Sequence, residues 1–328
     1  MTLPHRVTRR TFAGAVALLA LTTAVLPAAA ADFPNKPVRI IVPWPAGGGG
    51  DVVVRLMAPA IAERLNTPVL VENRPGATGT IGSAAAAKSP ADGYTLVYGT
   101  ADSNSIMPHL LKNAGYDRKA FVAIAPIGFF PYALAVHPSV PAANLQEFVQ
   151  LARNSRERLS FGSWGVGSSG QVLGESVKAA AGIDLLHVPF QGTAPLLNAL
   201  VGGQIKAAML PMPLVEQYAK AGNIRLLGVV APDRLPGLPA LRTLKEQGVN
   251  VDINTWVGFL APAQVPPDVL ARLHKAIQEV QASPQIAERL RQLQVVPQPM
   301  NQADYQSFVD SEYDRWGKVI QQARITLE

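Results

Sequence analysis

Apolar and polar positions alternate between two periods along most of the chain. The apolar, β-branched run Val38–Val42 predicts a buried strand, and residues 51–65, with apolar side chains at three-and-four spacing, predict a helix. Two further strands, at 69–72 and 94–98, frame a small-residue helix at 80–87. This β-α-β-α-β order predicts parallel strands joined by right-handed crossovers.

The same alternation returns after residue 130, and helical periodicity dominates after residue 266. The pattern predicts strands at 133–137, 159–162, 184–189, 207–210 and 226–230, and helices at 145–153, 171–181, 194–201, 267–282, 283–293 and 304–323. We therefore expect an α/β protein built from two such halves.

No Gly/Ser-rich linker separates the two halves, so the lobes are expected to be joined by strands that run directly between them. We predict crossings near Phe130–Tyr132 and Asn254–Val257. Residues 32–131 and 255–328 would then form lobe 1, and residues 132–254 would form lobe 2.

The N-terminal segment has the pattern of an export signal. Three arginines precede residue 11, an apolar run extends from Phe12 to about Leu26, and small residues follow at 28–31. The run is shorter than the ~20 apolar residues of a spanning helix. A signal peptide over 1–31, cleaved after Ala31, is therefore preferred to a membrane anchor, and it predicts a periplasmic protein. The pair Arg9-Arg10 resembles a twin-arginine signal, and the general secretory route stays open.

Composition narrows the chemistry of the mature chain. There is no cysteine, which excludes disulfides, thiolate catalysis, cysteine-ligated metals and a lipid anchor at the cleavage point. Removing residues 1–31 leaves 328 − 31 = 297 residues, enough for two cores, and lowers Lys+Arg from 29 to 26 against 23 acids. The net charge is then +3, and no basic run with interleaved aromatics predicts nucleic-acid binding.

The loop 43–51 follows the first predicted strand and contains four consecutive glycines before Asp51. Glycines let the backbone approach a ligand, and a helix start adds unpaired N–H donors and partial positive charge. This combination predicts an anion site without arginine. Asp51 is interpreted as the helix N-cap, with direct ligand contact as the alternative. A phosphate-binding P-loop would need Lys-Ser/Thr where Asp51-Val52 stands, so a single carboxylate suits the loop better.

Four further loops repeat this placement between a strand and the following element, at 73–80, 99–104, 162–170 and 190–195. In open parallel sheets, ligands bind beyond the carboxyl ends of the strands, so the five loops predict a cleft. Ordinary tight turns are the alternative. Thr80 and Thr193 are interpreted as helix N-caps.

Three aromatic residues and one acid in these loops admit two interpretations each. Trp44, Trp164 and Phe190 either enclose the apolar part of a ligand or pack the loops together. Asp102 either receives a ligand ammonium group or, as we prefer, hydrogen-bonds its own loop.

The sequence contains little that predicts catalysis. The histidines of the mature chain are widely separated, lack two-histidine metal spacing, and include His187, interpreted as a structural residue of an apolar strand. The segment 167–170 does not satisfy the G-x-S-x-G pattern of a nucleophile elbow. We expect a non-enzymatic protein with no metal and no cofactor, and keep an α/β hydrolase as an alternative.

A series of segments runs in one order through almost the whole mature chain: 33–39, the glycine loop through Arg55, 71–77, 92–96, 187–195 and 260–262. Together they resemble the Bug family, the extracytoplasmic receptors of tripartite tricarboxylate transporters. The resemblance implies a two-lobed periplasmic-binding-protein fold (type II-like), with parallel-dominated sheets and a hinge of crossing strands. It also implies a small carboxylate ligand, delivered to the membrane permease subunits. We expect a monomer, and a signalling sensor is the alternative role.

Transferred residue by residue, the resemblance implies that the ligand is held largely by backbone N–H groups and ordered waters of the first glycine loop and the facing loops. These positions are Ala46, Gly47, Gly48, Thr78, Thr100, Ser168, Gln191, Gly192 and Thr193, to which the loop analysis adds Trp44, Asp102 and Phe190. Three positions depart from the family: Gly50 where threonine is frequent, Gln171 where histidine is common, and Leu210 near a frequent acid. The apolar residues around Leu210 predict a ligand with little polar decoration away from its carboxylate.

Overall fold

The structure is a computed structural model that describes residues 33–231, 233–235, 237–251 and 255–327. The predicted signal peptide and the start of the second predicted crossing, at Asn254, lie outside these ranges. The strands are β1 Val38–Val42, β2 Val69–Asn73, β3 Thr95–Thr100, β4 Phe121–Phe130, β5 Tyr132–Val136, β6 Leu159–Ser163, β7 Leu185–Pro189, β8 Ala207–Pro211, β9 Arg225–Val230, β10 Thr255–Pro262 and β11 Val296–Pro297. The α-helices are α1 Gly49–Leu65, α2 Thr80–Ala87, α3 Met107–Leu110, α4 Leu145–Asn154, α5 Ser169–Ala181, α6 Thr193–Val201, α7 Met212–Lys220, α8 Pro267–Ala282, α9 Pro284–Gln292 and α10 Gln302–Gln322.

The strands form two sheets. The first has the order β11-β4-β10-β3-β1-β2 and the second the order β7-β6-β8-β5-β9. Strand β1 pairs in parallel with β2 and β3, and β6 pairs in parallel with β7 and β8. The α/β class is confirmed, but the sheets are mixed rather than dominated by parallel pairs. Strands β4, β5 and β10 pair only antiparallel with their neighbours, because they are not linked to them by βαβ crossovers.

The chain passes from one sheet to the other across a single residue, Pro131. Phe130 pairs with Thr255 in the first sheet, and Tyr132 pairs with Pro211 in the second. The Thr255 hydroxyl donates to the Phe130 carbonyl (2.8 Å), which adds a side-chain bond at the end of this ladder. The strand-to-strand passage therefore falls within the first predicted crossing, while the full lobe boundaries remain a prediction.

Five elements were not predicted from the pattern: the short α3 and β11, and the longer β4, β10 and α7. The run 121–130 contains Pro126 and Gly128, residues that usually interrupt a strand, and the β4–β10 ladder accommodates them with register shifts. Strand β10 was expected only as a crossing. Helix α7 has prolines before and inside its first turn, which made the segment resemble a loop.

Strand interiors are buried on both faces. Ile40 and Ile41 of β1, Val97 of β3 and Phe259 of β10 are fully buried, and each such side chain stabilises the fold by roughly 1.5–3 kcal/mol. This burial explains why the strands have continuous apolar runs rather than alternating ones. Within the described residues, none of the helices has the length and apolar character required to cross a bilayer.

Candidate functional site

The five predicted loops lie at the carboxyl ends of parallel strands. Those following β1, β2 and β3 share one edge of the first sheet, and those following β6 and β7 share one edge of the second. The two sets of loops touch. The Thr78 hydroxyl donates to the Val166 carbonyl (3.3 Å), and the Asp102 carboxylate accepts the Ser169 amide (3.0 Å). The loops at the ends of the two sheets are therefore in direct contact with each other.

Asp51 was expected to cap α1, but the N-cap is Gly48, and Asp51 is the third residue of the helix. Its carboxylate accepts the Gly47 amide (2.8 Å) and is held by Asn73 (2.8 Å) and Arg55 (2.9 Å). The prediction was wrong because four glycines in a row hide the helix start, and glycine itself can occupy an N-cap. Through these hydrogen bonds, the Asp51 carboxylate fixes the glycine loop against α1.

The environment of Asp51 favours its charged form. Burial raises its pKa, but hydrogen bonds from the Gly47 amide, Arg55 and Asn73 outweigh that effect, so the pKa lies below its ordinary value. Asp51 is therefore an acceptor for the loop across the neutral pH range.

The open backbone donors differ from those predicted. The Gly47 amide is used by Asp51, and the Gly48 amide donates to the Pro45 carbonyl (3.2 Å). Among the described residues, no acceptor is found for the amides of Ala46, Gly49, Gly50 and Asp51. The last three form the first turn of α1, where unpaired amides and the helix dipole favour an anion. The open amide donors of this loop are therefore those of residues 49–51 and of Ala46.

The second loop brings Trp44 and the third loop together. Gly79 has φ 85° and serves as N-cap of α2, so Thr80, predicted as the cap, is the first helical residue. A Cβ atom at Gly79 would lie 3.0 Å from Ser103 Cβ and 3.4 Å from Trp44 Cζ2. Glycine is thus required here both by its left-handed backbone and by the close approach of three loops.

Thr100, predicted to contact ligand, uses its side chain within the third loop. Its Oγ1 accepts the Ser103 amide (3.2 Å) and lies 3.1 Å from Ser103 Oγ, and Asn104 Oδ1 accepts the Thr100 amide (3.2 Å). These bonds close a turn directly after β3. Thr100 therefore fixes the shape of this loop, and its predicted contact with ligand stays a prediction.

Asp102 does not hydrogen-bond its own loop as we preferred. Its Oδ2 accepts the Trp164 indole N–H (3.1 Å), and its Oδ1 accepts the Ser169 amide, both from the second-sheet loop. Burial raises the pKa of Asp102, and the hydrogen bonds from Ser169 and Trp164 partly offset that rise. Sequence spacing could not reveal these partners, which lie more than 60 residues away along the chain.

Ser168 and Gln171 shape the loop before α5. Ser168 is the N-cap of α5: its Oγ accepts the Gln171 amide (3.4 Å) and donates to the Gly165 carbonyl (2.7 Å). Gln171 Oε1 accepts the Gly167 amide (2.7 Å). Both side chains are therefore occupied in holding the loop.

The loop at 190–193 is fastened to the one before it. The Phe190 amide donates to the Ser163 carbonyl (2.8 Å), and the Gly192 amide donates to the Trp164 carbonyl (3.3 Å). Gly192, with φ 110°, is the N-cap of α6, so Thr193 begins the helix and is not its cap. Gln191 is exposed to solvent.

The aromatic residues divide into two groups. Trp164 is 9% exposed, stacks on Tyr132 (ring centroids 5.5 Å apart) and gives its N–H to Asp102. Its surroundings fit the packing interpretation. Trp44 and Phe190 are half-buried and keep part of their rings accessible.

Sequence analysis missed Tyr98, a buried residue of β3 beside the glycine loop. A Cβ atom at Gly50 would lie 2.6 Å from Tyr98 Cε1, so the ring takes the space that a side chain at position 50 would fill. The signal in the sequence was glycine at position 50, where the family frequently has threonine. A side chain missing from a packed site is usually compensated by a larger neighbouring side chain.

A serine–histidine pair lies behind the second set of loops. Ser163 Oγ is 2.7 Å from His187 Nε2 and donates to the Gly165 carbonyl (2.9 Å), but Ser163 is fully buried, so an external acyl group has no access to it. Burial, assisted by Lys178, lowers the pKa of His187 to about 4. The pair has the surroundings of a structural contact. No cluster of three or more metal-ligating acids and histidines occurs within the described ranges.

We expect the neutral state of His187 to contribute to stability. Its folded pKa is about 4 and its unfolded pKa is about 6.5, so the contribution is present above about pH 6.5 and is lost as the pH falls towards 4. The full shift corresponds to about 3 kcal/mol, and solvent screening of a half-buried ring reduces it to about 1–2 kcal/mol. Urea unfolding at about pH 7 and about pH 4.5 should show this loss in the wild type and a smaller one in His187→Gln. Equal losses in both proteins would contradict the prediction.

Comparison with known proteins gives a consistent family. The model of the tripartite tricarboxylate transporter family receptor matches residues 53–325. A UPF0065 protein of Bordetella pertussis is 32% identical over 308 residues, covering 94% of this chain and 95% of that protein. The solved structure of the periplasmic binding protein BugD has a TM-score of 0.80 and 30% identity, covering 90% of this chain and 100% of that one. R. palustris Rpa4515 with adipate has a TM-score of 0.83 and 30% identity, covering 90% and 99%.

The family match extends over most of the chain, and it agrees with a fold of two mixed sheets whose strand-end loops are in contact. The chain therefore belongs to the tripartite tricarboxylate transporter receptors, a family of periplasmic solute-binding proteins.

Proposed function

We propose that the chain captures a small carboxylate between its two lobes and delivers it to the permease subunits of a tripartite tricarboxylate-type transporter. The observation that carries the proposal is the open first turn of α1, where the amides of Gly49, Gly50 and Asp51 find no acceptor among the described residues. Such a turn stabilises a negative charge without a basic side chain. The adipate bound to Rpa4515 supports the same ligand chemistry.

Roles within the site follow from which groups are already occupied. The first-turn amides and Ala46 hold the carboxylate, while Trp44, Thr78, Phe190 and Gln191 enclose the rest of the ligand. The other predicted residues, Gly47, Gly48, Thr100, Asp102, Ser168, Gly192 and Thr193, build the loops that carry these groups. Lobe 1 comprises residues 32–131 and 255–328 and lobe 2 residues 132–254, and ligand closes them by binding the closed state more tightly than the open one.

Binding is tested with pairs of ligands that differ only in charge. Hexanoate should raise the melting temperature of the protein in proportion to the logarithm of its concentration, whereas hexanamide should not. Equal stabilisation by the acid and the amide would contradict an anion site.

A matched pair of variants tests the position of that site. Gly49→Pro removes one amide donor at the first helical position, where proline is tolerated, and Gly48 already has the extended backbone that precedes proline (φ −73°, ψ 164°). Gly49→Ala keeps the donor, and a Cβ atom there meets nothing within 4 Å. Losing one hydrogen bond to a charged group should weaken carboxylate affinity about tenfold or more in Gly49→Pro, with little change in Gly49→Ala. Equal affinities of the two variants would show that the carboxylate binds elsewhere.

Delivery is tested separately by uptake. Cells lacking this protein should lose uptake of the bound acid and regain it with the wild-type gene but not with Gly49→Pro. If uptake is unaffected while a transcriptional response to the acid is lost, the protein acts as a sensor and the transport role is wrong.

A further inference from the structure

The second helix start in the crevice is already occupied by an acid of the chain itself. The N-terminal amide of α5, at Ser169, donates to Asp102 Oδ1, and the Trp164 indole donates to Oδ2. Asp102 belongs to the loop after β3, and both donors belong to the loop after β6. One internal carboxylate therefore links the two sets of loops.

Other groups close off this helix start more fully. The Trp164 ring packs directly against Gly170, because a Cβ atom there would lie 2.4 Å from Trp164 Cζ3. The Gly167 and Gln171 amides are used by Gln171 Oε1 and Ser168 Oγ. An external anion therefore finds no open donor at Ser169, and Asp102 itself is only 6% exposed.

The two helix starts are thus unequal. The first turn of α1 has open amides in a partly exposed loop, whereas at the start of α5 the Ser169 amide is occupied by Asp102 and the Trp164 ring packs against Gly170. A dicarboxylate could therefore bind only one of its two carboxylates at open helix amides, those of α1. Its second carboxylate, brought to within ~5 Å of Asp102, would lose on the order of a hundredfold in affinity by repulsion at an effective dielectric of ~20.

We propose that Asp102 determines the ligand class by acting as a built-in second carboxylate, so that the protein binds monocarboxylates in preference to dicarboxylates. This inference rests on the proposed capture of a carboxylate at α1.

Hexanoate and adipate provide a direct test, since they have six carbons each and differ by one terminal carboxylate. We expect titration calorimetry with the full chain to give at least tenfold tighter binding of hexanoate. Asp102→Asn and Asp102→Ser remove the negative charge, and each should reduce that preference by about tenfold or more. Asp314→Asn makes the same charge change on a side chain that is 64% exposed, and it should leave the preference unchanged.

The outcomes separate this inference from the proposed function. Wild-type protein that binds adipate as tightly as hexanoate, or Asp102 variants that keep the wild-type preference, would overturn the role of Asp102 while leaving carboxylate capture intact. If neither acid nor any other carboxylate binds, the proposed function fails and the role of Asp102 with it. The wild-type comparison decides the question even if both Asp102 variants misfold.

Discussion

Replacing Asp51 with alanine should lower the free energy of unfolding by about 2–4 kcal/mol and weaken carboxylate binding by more than tenfold. The Asp51 side chain is 3% exposed, and its removal leaves the Gly47 amide, Asn73 and Arg55 without their shared acceptor. The glycine loop then loses the bond that fixes its shape, so binding declines together with stability. Urea unfolding and titration calorimetry measure the two effects.

Asp51→Asn separates the charge from the acceptor. It keeps one acceptor oxygen, so we expect a smaller loss than in the alanine variant. Because the folded pKa of Asp51 is lowered, its contribution is present above the unfolded value of about 4 and is lost as the pH falls through the folded pKa. The stability difference between wild type and Asp51→Asn should therefore narrow below about pH 4. A stability difference between the two proteins that does not change with pH would show that the charge of Asp51 does not stabilise the fold.

Gly50→Thr should destabilise the protein by about 1–3 kcal/mol and impair binding, because its Cβ would lie 2.6 Å from Tyr98 Cε1. The ring lies in a packed interior and cannot move aside without disturbing β3. Gly49→Ala serves as the control, since nothing lies within 4 Å of a Cβ atom at the adjacent position.

A double-mutant cycle shows whether the two residues are coupled. On its own, Tyr98→Leu should lower the free energy of unfolding. In the double variant with Gly50→Thr, the total loss should be smaller than the sum of the two single losses by about 1 kcal/mol or more. Additive losses would show that Tyr98 does not set the size limit at position 50.

The periodicity of apolar residues correctly predicted the elements whose pattern is regular from end to end. Strand β1 and helices α2 and α8 have the predicted bounds, because their runs of apolar or small residues begin and end sharply. Strands β4 and β10 could not be predicted as ladder strands, since Pro126 and Gly128 interrupt the first and the second was expected only as a crossing. The antiparallel character of the sheets followed from these strands.

Sequence order also predicted which loops would gather at the sheet edges, because the ends of parallel strands lie together. It did not predict which side chains would meet across the crevice. Asp102 finds its partners at Trp164 and Ser169, and Gly50 finds Tyr98, through distances that only the folded chain defines. The helix N-caps were misassigned by one to three residues, because glycines 48, 79 and 192 occupy the cap positions assigned to Asp51, Thr80 and Thr193.

Pro131 has a consequence for the conformational entropy that ligand binding would cost. Its ring fixes one backbone torsion, it restricts the backbone of Phe130, and its carbonyl accepts the Met212 amide (2.9 Å). The connection at Pro131 is therefore conformationally restricted. For the proposed function, a restricted connection leaves less orientational freedom to lose when the two lobes close on a ligand, so less binding free energy is needed to hold them closed.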